Sequence, residues 1–257
     1  GGPFTDISGE TNPTLTITSV TVASSGTQYQ AVLTNASCAV PATSTIATLT
    51  VNQTPAVTTQ PTDVNVCPGD NAAFTSTAIG TNINYQWQVS TNGGGTFSNI
   101  TNGGVYSGAT TGTLSLTGAT ALLNNNQYRC VVTGSCNANT AVSGITSLTV
   151  DPPVTNNSIA ISQVLCSGTP APLTGSTPAG GNGLYSYQWY QDIGSGWVSI
   201  PGATSVNYAP GLLTQTTRFT RNAVSAGCGT NTAVSVTVTI NPLTSVTDPS
   251  NKIGRAS

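Results

Sequence analysis

The sequence predicts an all-β chain, a row of tandem antiparallel β-sandwiches of which the first is incomplete. Three observations predict it. Short runs alternate apolar or β-branched residues with polar ones, as in "NYQWQVS" (84–90) and "QYRCVVTG" (127–134). No segment holds an i, i+3, i+4, i+7 apolar pattern over helical length. The chain also repeats itself. Tyr85-Gln86-Trp87 recurs as Tyr187-Gln188-Trp189, Cys67-Pro68-Gly69 as Cys166-Ser167-Gly168, and "QYRCVVTGSC" (127–136) as "RFTRNAVSAGC" (218–228).

A third copy lies upstream, and only its second half is present. "TQYQAVLTNASC" (27–38) matches the 127–136 segment, and "GGPFTDI" (1–7) matches "GGTFSNI" (94–100). No Tyr-x-Trp precedes it. Proline-containing links, "VNQTPAV" (51–57), "VDPPV" (150–154) and "INPLTSV" (240–246), mark the joints. The expected domains are 1–52, a C-terminal half-sandwich; 53–151 and 152–242, complete sandwiches; and 243–257, a tail or the next link. The chain thus reads as an internal or processed piece. A half-sandwich exposes core and an unpaired edge, which invites either a cut-chain explanation or completion by a strand from a second chain. The tail 243–257 is the candidate donor.

Composition excludes several functions. Charged residues make up 5% of the chain, and the five basic ones all lie at or after Arg129. That is no surface for phosphate backbones or anionic headgroups, so neither a nucleic-acid partner nor membrane insertion is expected. No apolar run approaches the roughly 20 residues that span a bilayer. With no His, no Cys-x-x-Cys and no acidic cluster, neither a metal site nor a cofactor is expected. The seven carboxylates fall mostly in turns and links, and their spacing suggests no acid–base pair, so no catalytic residue is named and the chain reads as non-enzymatic.

The repeated residues resemble immunoglobulin-like domains. In that resemblance "YQWQ" is strand C, with Trp87 and Trp189 as core markers between the sheets. Tyr128, two residues before Cys130, is the tyrosine corner at the entry to strand F. The third copy departs from the pattern with Phe219 and Arg221 at these places, the first with Ala31 in place of the cysteine. The B-strand cysteine is replaced by about Ser76, so the usual inter-sheet disulfide cannot form. More specifically, the Cys-x-Gly, Tyr-x-Trp and Ser-Cys or Gly-Cys landmarks resemble the tandem repeats of large secreted or cell-surface, adhesin-like proteins of Bacteroidota-type bacteria.

Six cysteines, Cys38, Cys67, Cys130, Cys136, Cys166 and Cys228, suit disulfides in an oxidising compartment. Their occurrence in both complete copies favours pairing within each copy, Cys67 with Cys136 and Cys166 with Cys228. Against it, a strand from Tyr128 to Cys136 rises roughly 26 Å at ~3.3 Å per residue, whereas a disulfide needs Cα atoms within about 7 Å. Two alternatives stay open: Cys67 with Cys130, or Cys67 of one copy with Cys228 of the next. Cys38 has its expected partner in the absent half-copy.

Two surface features compete with plain strand packing. The runs "TLTITSVTV" (14–22) and "SVTVTI" (235–240) could form Thr ladders, but β-strand alternation alone accounts for them. Trp197 and Tyr190 are candidate glycan-contact aromatics. Trp197 aligns with Phe97 and Phe4, which favours a structural role. The expected function is an extracellular structural or adhesive module in a cell-surface fibre or stalk, its partners neighbouring domains or copies of itself, or surface glycans or proteins. The alternatives are a self-assembling filament subunit completed by strand exchange, and a carbohydrate-binding appendage of a secreted polysaccharide-degrading enzyme.

Overall fold

A computed structural model describes residues 3–136, 139–225 and 227–241, without the side chains of Cys38 and Ala39. The tail 243–257, expected as a strand donor, lies outside the described residues, as does the Cys38 thiol. Among the described residues there are strands and two 3₁₀ turns, and no α-helix. Contacts divide the chain into two compact units. One comprises Gly1–Val64, Ala73–Leu116 and Asn126–Ser147; the other comprises Asn65–Ala72, Thr117–Asn125 and Leu148–Ser257.

In the first unit the strand Asn84–Ser90 pairs antiparallel with Gln127–Thr133, placing Trp87 opposite Cys130. Within this unit their sheet runs in the order Ser98–Asn99, Asn84–Ser90, Gln127–Thr133, and Gln127 and Tyr128 pair onward with Ser147 and Thr146. A second sheet runs Tyr106–Ser107, Thr113–Leu116, Ala72–Thr75. Alternation sends Phe74, Leu114 and Leu116 from the second sheet, and Trp87, Tyr128, Cys130 and Val132 from the first, into a shared interior. Phe74 stacks on Tyr128 at 4.7 Å between ring centroids and lies 6.4 Å from Trp87. Those aromatic contacts join the two layers of a sandwich.

The Tyr-Gln-Trp motif has a second component that its apolar residues do not reveal. The Trp87 indole donates to the Thr111 carbonyl at 2.9 Å, so its one polar group is satisfied in the core. The Gln86 amide donates to the carbonyls of Trp87 and Ile100, pinning the neighbouring edge segment. Trp189 and Gln188 repeat both arrangements, onto Ser205 and onto Trp189 and Ile200.

In the second unit the sheet order is Gln163–Leu165, Val236–Ile240, Thr217–Ser225, Tyr185–Asp192, Val198–Ser199. Facing it is a looser layer held by isolated bridges, Ile159 to Gly175 and Leu173 to Tyr208 among them. Leu173, Trp189, Phe219, Val236 and Val238 form the core between them. Arg221 pairs opposite Trp189, the register position that Cys130 holds opposite Trp87.

Two expectations are corrected. Residues 14–22 are not a strand and hold only a 3₁₀ turn at Val22–Ser24. A strand needs a partner for its backbone groups, and the segment that pairs with the equivalent residues 113–116, Ala72–Thr75, has no counterpart before residue 14. The within-copy cysteine pairing fails as well, and is taken up below. At the entry to its strand the Tyr128 hydroxyl meets the Tyr106 hydroxyl at 3.2 Å.

Candidate functional site

Two places carry more than fold. The first is the cysteine set. Cys67 follows strand Val64–Val66 and is held by a turn in which the Asp70 carboxylate accepts its backbone N–H at 3.2 Å. Gly69 completes that turn at φ +95°, a value that favours glycine. Cys67 is bonded to Cys228, with Cα atoms 5.0 Å apart at a sequence separation of 161. The expected Cys67–Cys136 and Cys166–Cys228 pairs do not form, and neither does Cys67–Cys130. For the within-copy pairs the physical reason is the strand rise already noted, which separates the two ends of one sandwich by more than a disulfide reaches; Cys130 instead faces the core opposite Trp87 and is fully buried there. Cys130, Cys136 and Cys166 are free: Cys130 buried, Cys136 half-buried, Cys166 exposed. Desolvation pushes the Cys130 thiol up to about 11, which leaves it unreactive at neutral pH.

The second place is an open depression on the sheet that carries Trp189. Tyr190, Trp197, Arg218, Asn222, Thr232 and Ser235 line it. The structure therefore brings the two candidate glycan-contact aromatics together and adds Arg218, which the sequence reading did not single out. Arg218 lies over the Trp197 ring at 5.2 Å, donates to the Ser235 hydroxyl at 3.0 Å and faces Asp192 at 3.6 Å. Trp197 stays 42% exposed. Asp192 also accepts the backbone N–H groups of Gly194 and Gly196, and these bonds, with Arg218 a lesser cause, hold its carboxyl below the usual range. It is a turn-closing anion.

Among the described residues no three His, Cys, Asp or Glu side chains gather as metal ligands. Asp63 accepts from the Ser147 backbone and the Thr146 hydroxyl, a strand-joining role of the same kind as Asp70 in its turn.

Arg221 was legible only as a departure from the pattern. It is wholly buried. Its guanidinium donates to Asn157 through Nε and Nη2, to the Val206 carbonyl at 2.6 Å and to the Ser176 carbonyl at 2.7 Å, and lies over the Tyr187 ring at 4.7 Å. Burial draws its pKa below the usual arginine value, and neighbouring Tyr187 acts the other way. A Cβ on Gly175 would collide with the guanidinium. Among the described residues the charge is met by amide and carbonyl oxygens, and the group ties strands together.

The family profile of DUF8696, described as a domain of unknown function, matches the chain twice, over residues 56–152 and 155–242. The chain belongs to the DUF8696 family. Cys67 lies in the first match and Cys228 in the second, so the disulfide joins two DUF8696 repeats. No curated protein sequence matches the chain. Among solved structures, the titin I-band fragment I67–I69 is similar at 16% identity and a TM-score of 0.52, over 73% of this chain and 65% of that one. A variant of the same three-domain titin fragment gives the same identity and TM-score, over 66% of its length. The chain thus spans a little under two thirds of the titin fragments. At this identity the likeness shows the fold, a tandem array of immunoglobulin-like sandwiches, in two DUF8696 repeats.

Proposed function

We propose that the chain is a non-enzymatic, load-bearing segment of an extracellular fibre or adhesin stalk built from immunoglobulin-like repeats. The observation that carries this reading is the Cys67–Cys228 disulfide between two DUF8696 repeats. An array under tension gains from such a bond a covalent shunt across its joint. The disulfide also supports an oxidising compartment, and so an extracellular or cell-surface location. The tandem fold is one in which structural and adhesive modules are often built, and the low charge suits a spacer.

Single-molecule stretching tests the proposal. With the disulfide intact, force applied to the chain ends releases only the length outside the 161-residue loop. On reduction a further extension of about 550 Å becomes available, at roughly 3.4 Å per residue. Equal extension before and after reduction would remove the mechanical role.

A second reading, a carbohydrate contact, is favoured by the grouping of Trp197, Tyr190 and Arg218 in one depression. An aromatic face beside hydrogen-bonding side chains is the chemistry that takes a sugar ring. A glycan array separates the readings: binding lost in Trp197→Ala supports the second, and no binding by the parent chain removes it.

A further inference from the structure

The bonded pair in the second unit can be laid over the free cysteines residue by residue. Strand Gln163–Leu165 leads into Cys166 as Val64–Val66 leads into Cys67. Asn241 donates its backbone N–H to Leu165 at 2.8 Å, as Asp151 donates to Val66 at 2.9 Å. Gly168, like Gly69, sits at positive φ two residues beyond its cysteine.

Cys228 and Cys136 correspond equally well. Each follows the strand opposite the core tryptophan. Cys228 places its sulfur 3.9 Å from the carbonyl of Asp151, in the link Val150-Asp151. Cys136 places its sulfur 3.5 Å from the carbonyl of Asn52, in the equivalent link Val51-Asn52. The free thiol therefore sits over its own link as the bonded one does, and what it lacks is a Cys-x-Gly cysteine.

The first unit, which holds Cys136, also carries a place for the segment that would bring one. Residues 3–52 have no buried side chain among those described, and Leu15, Ile17 and Val20 are exposed although their equivalents Leu114, Leu116 and Ala119 are buried. What covers those equivalents includes the first-half strand Ala72–Thr75, which pairs with Thr113–Leu116 and inserts Phe74.

We propose that Cys136 is the waiting half of a second inter-repeat disulfide, and that its partner is the Cys-x-Gly cysteine of a first half-repeat of this family docked on residues 3–52. The proposal rests on the reading of the chain as a stapled array and names that array's partner. Bond formation is an oxidation. The two thiols give up two electrons and two protons to a glutathione disulfide, directly or through an oxidoreductase, releasing two glutathione thiols and leaving one S–S bond.

The test uses the full chain and a peptide of residues 56–92, the first half of its own second repeat, in a glutathione redox buffer. Non-reducing peptide mapping should show the peptide's Cys67 joined to Cys136. Docking raises the local thiol concentration, so the yield there should exceed that at exposed Cys166 by at least about tenfold. The Trp87→Ala peptide should lose this preference, and Cys136→Ser should remove the crosslink. The proposal fails if the peptide reacts with Cys136 and Cys166 alike, if the Trp87→Ala peptide reacts as selectively as the parent, or if no mixed disulfide forms. The same map reports separately on the stapled-array reading, which fails if the chain itself shows no Cys67–Cys228 bond.

Discussion

Residues 14–52 and 113–151 are equivalent segments of two copies that align without a gap, the first folded without a partner and the second with one. Local features survive in both. A 3₁₀ turn occupies Val22–Ser24 in one and Ala121–Leu123 in the other, each preceded by an extended threonine. Positive φ recurs at Ser19 and Gly118, and at Gly26 and Asn125. The pairings Gln28 with Thr48 and Tyr29 with Ala47 repeat those of Gln127 with Ser147 and Tyr128 with Thr146. What differs is burial. Leu15 and Ile17 are 37% and 41% exposed, whereas Leu114 and Leu116 are 0% and 1%. Turn chemistry and hairpin register are thus specified within some twenty-five residues of chain, while the core is supplied by the half that carries Phe74 and Trp87.

The sharpest way to break the comparison is to make one substitution in both places. Leu114→Ala removes a fully buried side chain and should cost about 2–5 kcal/mol. Leu15→Ala trims a side chain already in water and should stay within about 0.5 kcal/mol. Urea unfolding followed by tryptophan fluorescence reads the first, because Trp87 reports on that core. Equal effects at the two positions would mean that residues 3–52 are covered in solution.

This comparison also marks how far the sequence could be read. Alternation, the repeated Tyr-Gln-Trp and the placement of Trp87 and Trp189 in the core were legible, because side-chain period and local register are short-range properties. The disulfide was legible only as one of three pairings. Its geometry depends on which turns meet, and that is not written in any single repeat. The strand expected over residues 14–22 failed because alternation states a preference and not the presence of a partner. Arg218 beside Trp197 was missed because alignment to Phe97 directs attention to core packing. The burial of Arg221 was missed because a charge on a strand is ordinarily solvated.

Arg221 offers the next largest effect, and sharpens a second comparison, that between the two complete repeats. Where one repeat buries a thiol, the other buries a guanidinium that feeds Asn157 and two carbonyls. Arg221→Ala leaves those acceptors without donors and opens a cavity, and should cost about 3 kcal/mol. Arg221→Cys, which installs the other repeat's residue, should not restore stability, because Gly175 and Asn157 are shaped around the larger group. Thermal unfolding of both variants checks this. A Cys variant as stable as the parent would mean that the guanidinium network contributes nothing net.

The smallest expected effect concerns the position two residues earlier, Tyr128 in one repeat and Phe219 in the other. Burial, reinforced by the hydrogen bond to Tyr106, raises the Tyr128 phenol well above its ordinary value of 10. The folded state therefore holds the proton while the unfolded chain releases it. Stability from this group is fully present below about pH 10 and is lost as pH rises beyond it. Tyr128→Phe should cost about 1 kcal/mol at neutral pH, through the lost hydroxyl pair. The variant should also lose less stability than the parent between pH 8 and about pH 11, so that the two urea midpoints converge. Phe219 does not make the other repeat alkali-insensitive, because burial raises Tyr208 there as well. The comparison must accordingly be made within one repeat, parent against variant. Midpoints that stay equally far apart at both pH values would show that the Tyr128 hydroxyl remains protonated in the unfolded chain or ionises freely in the folded one.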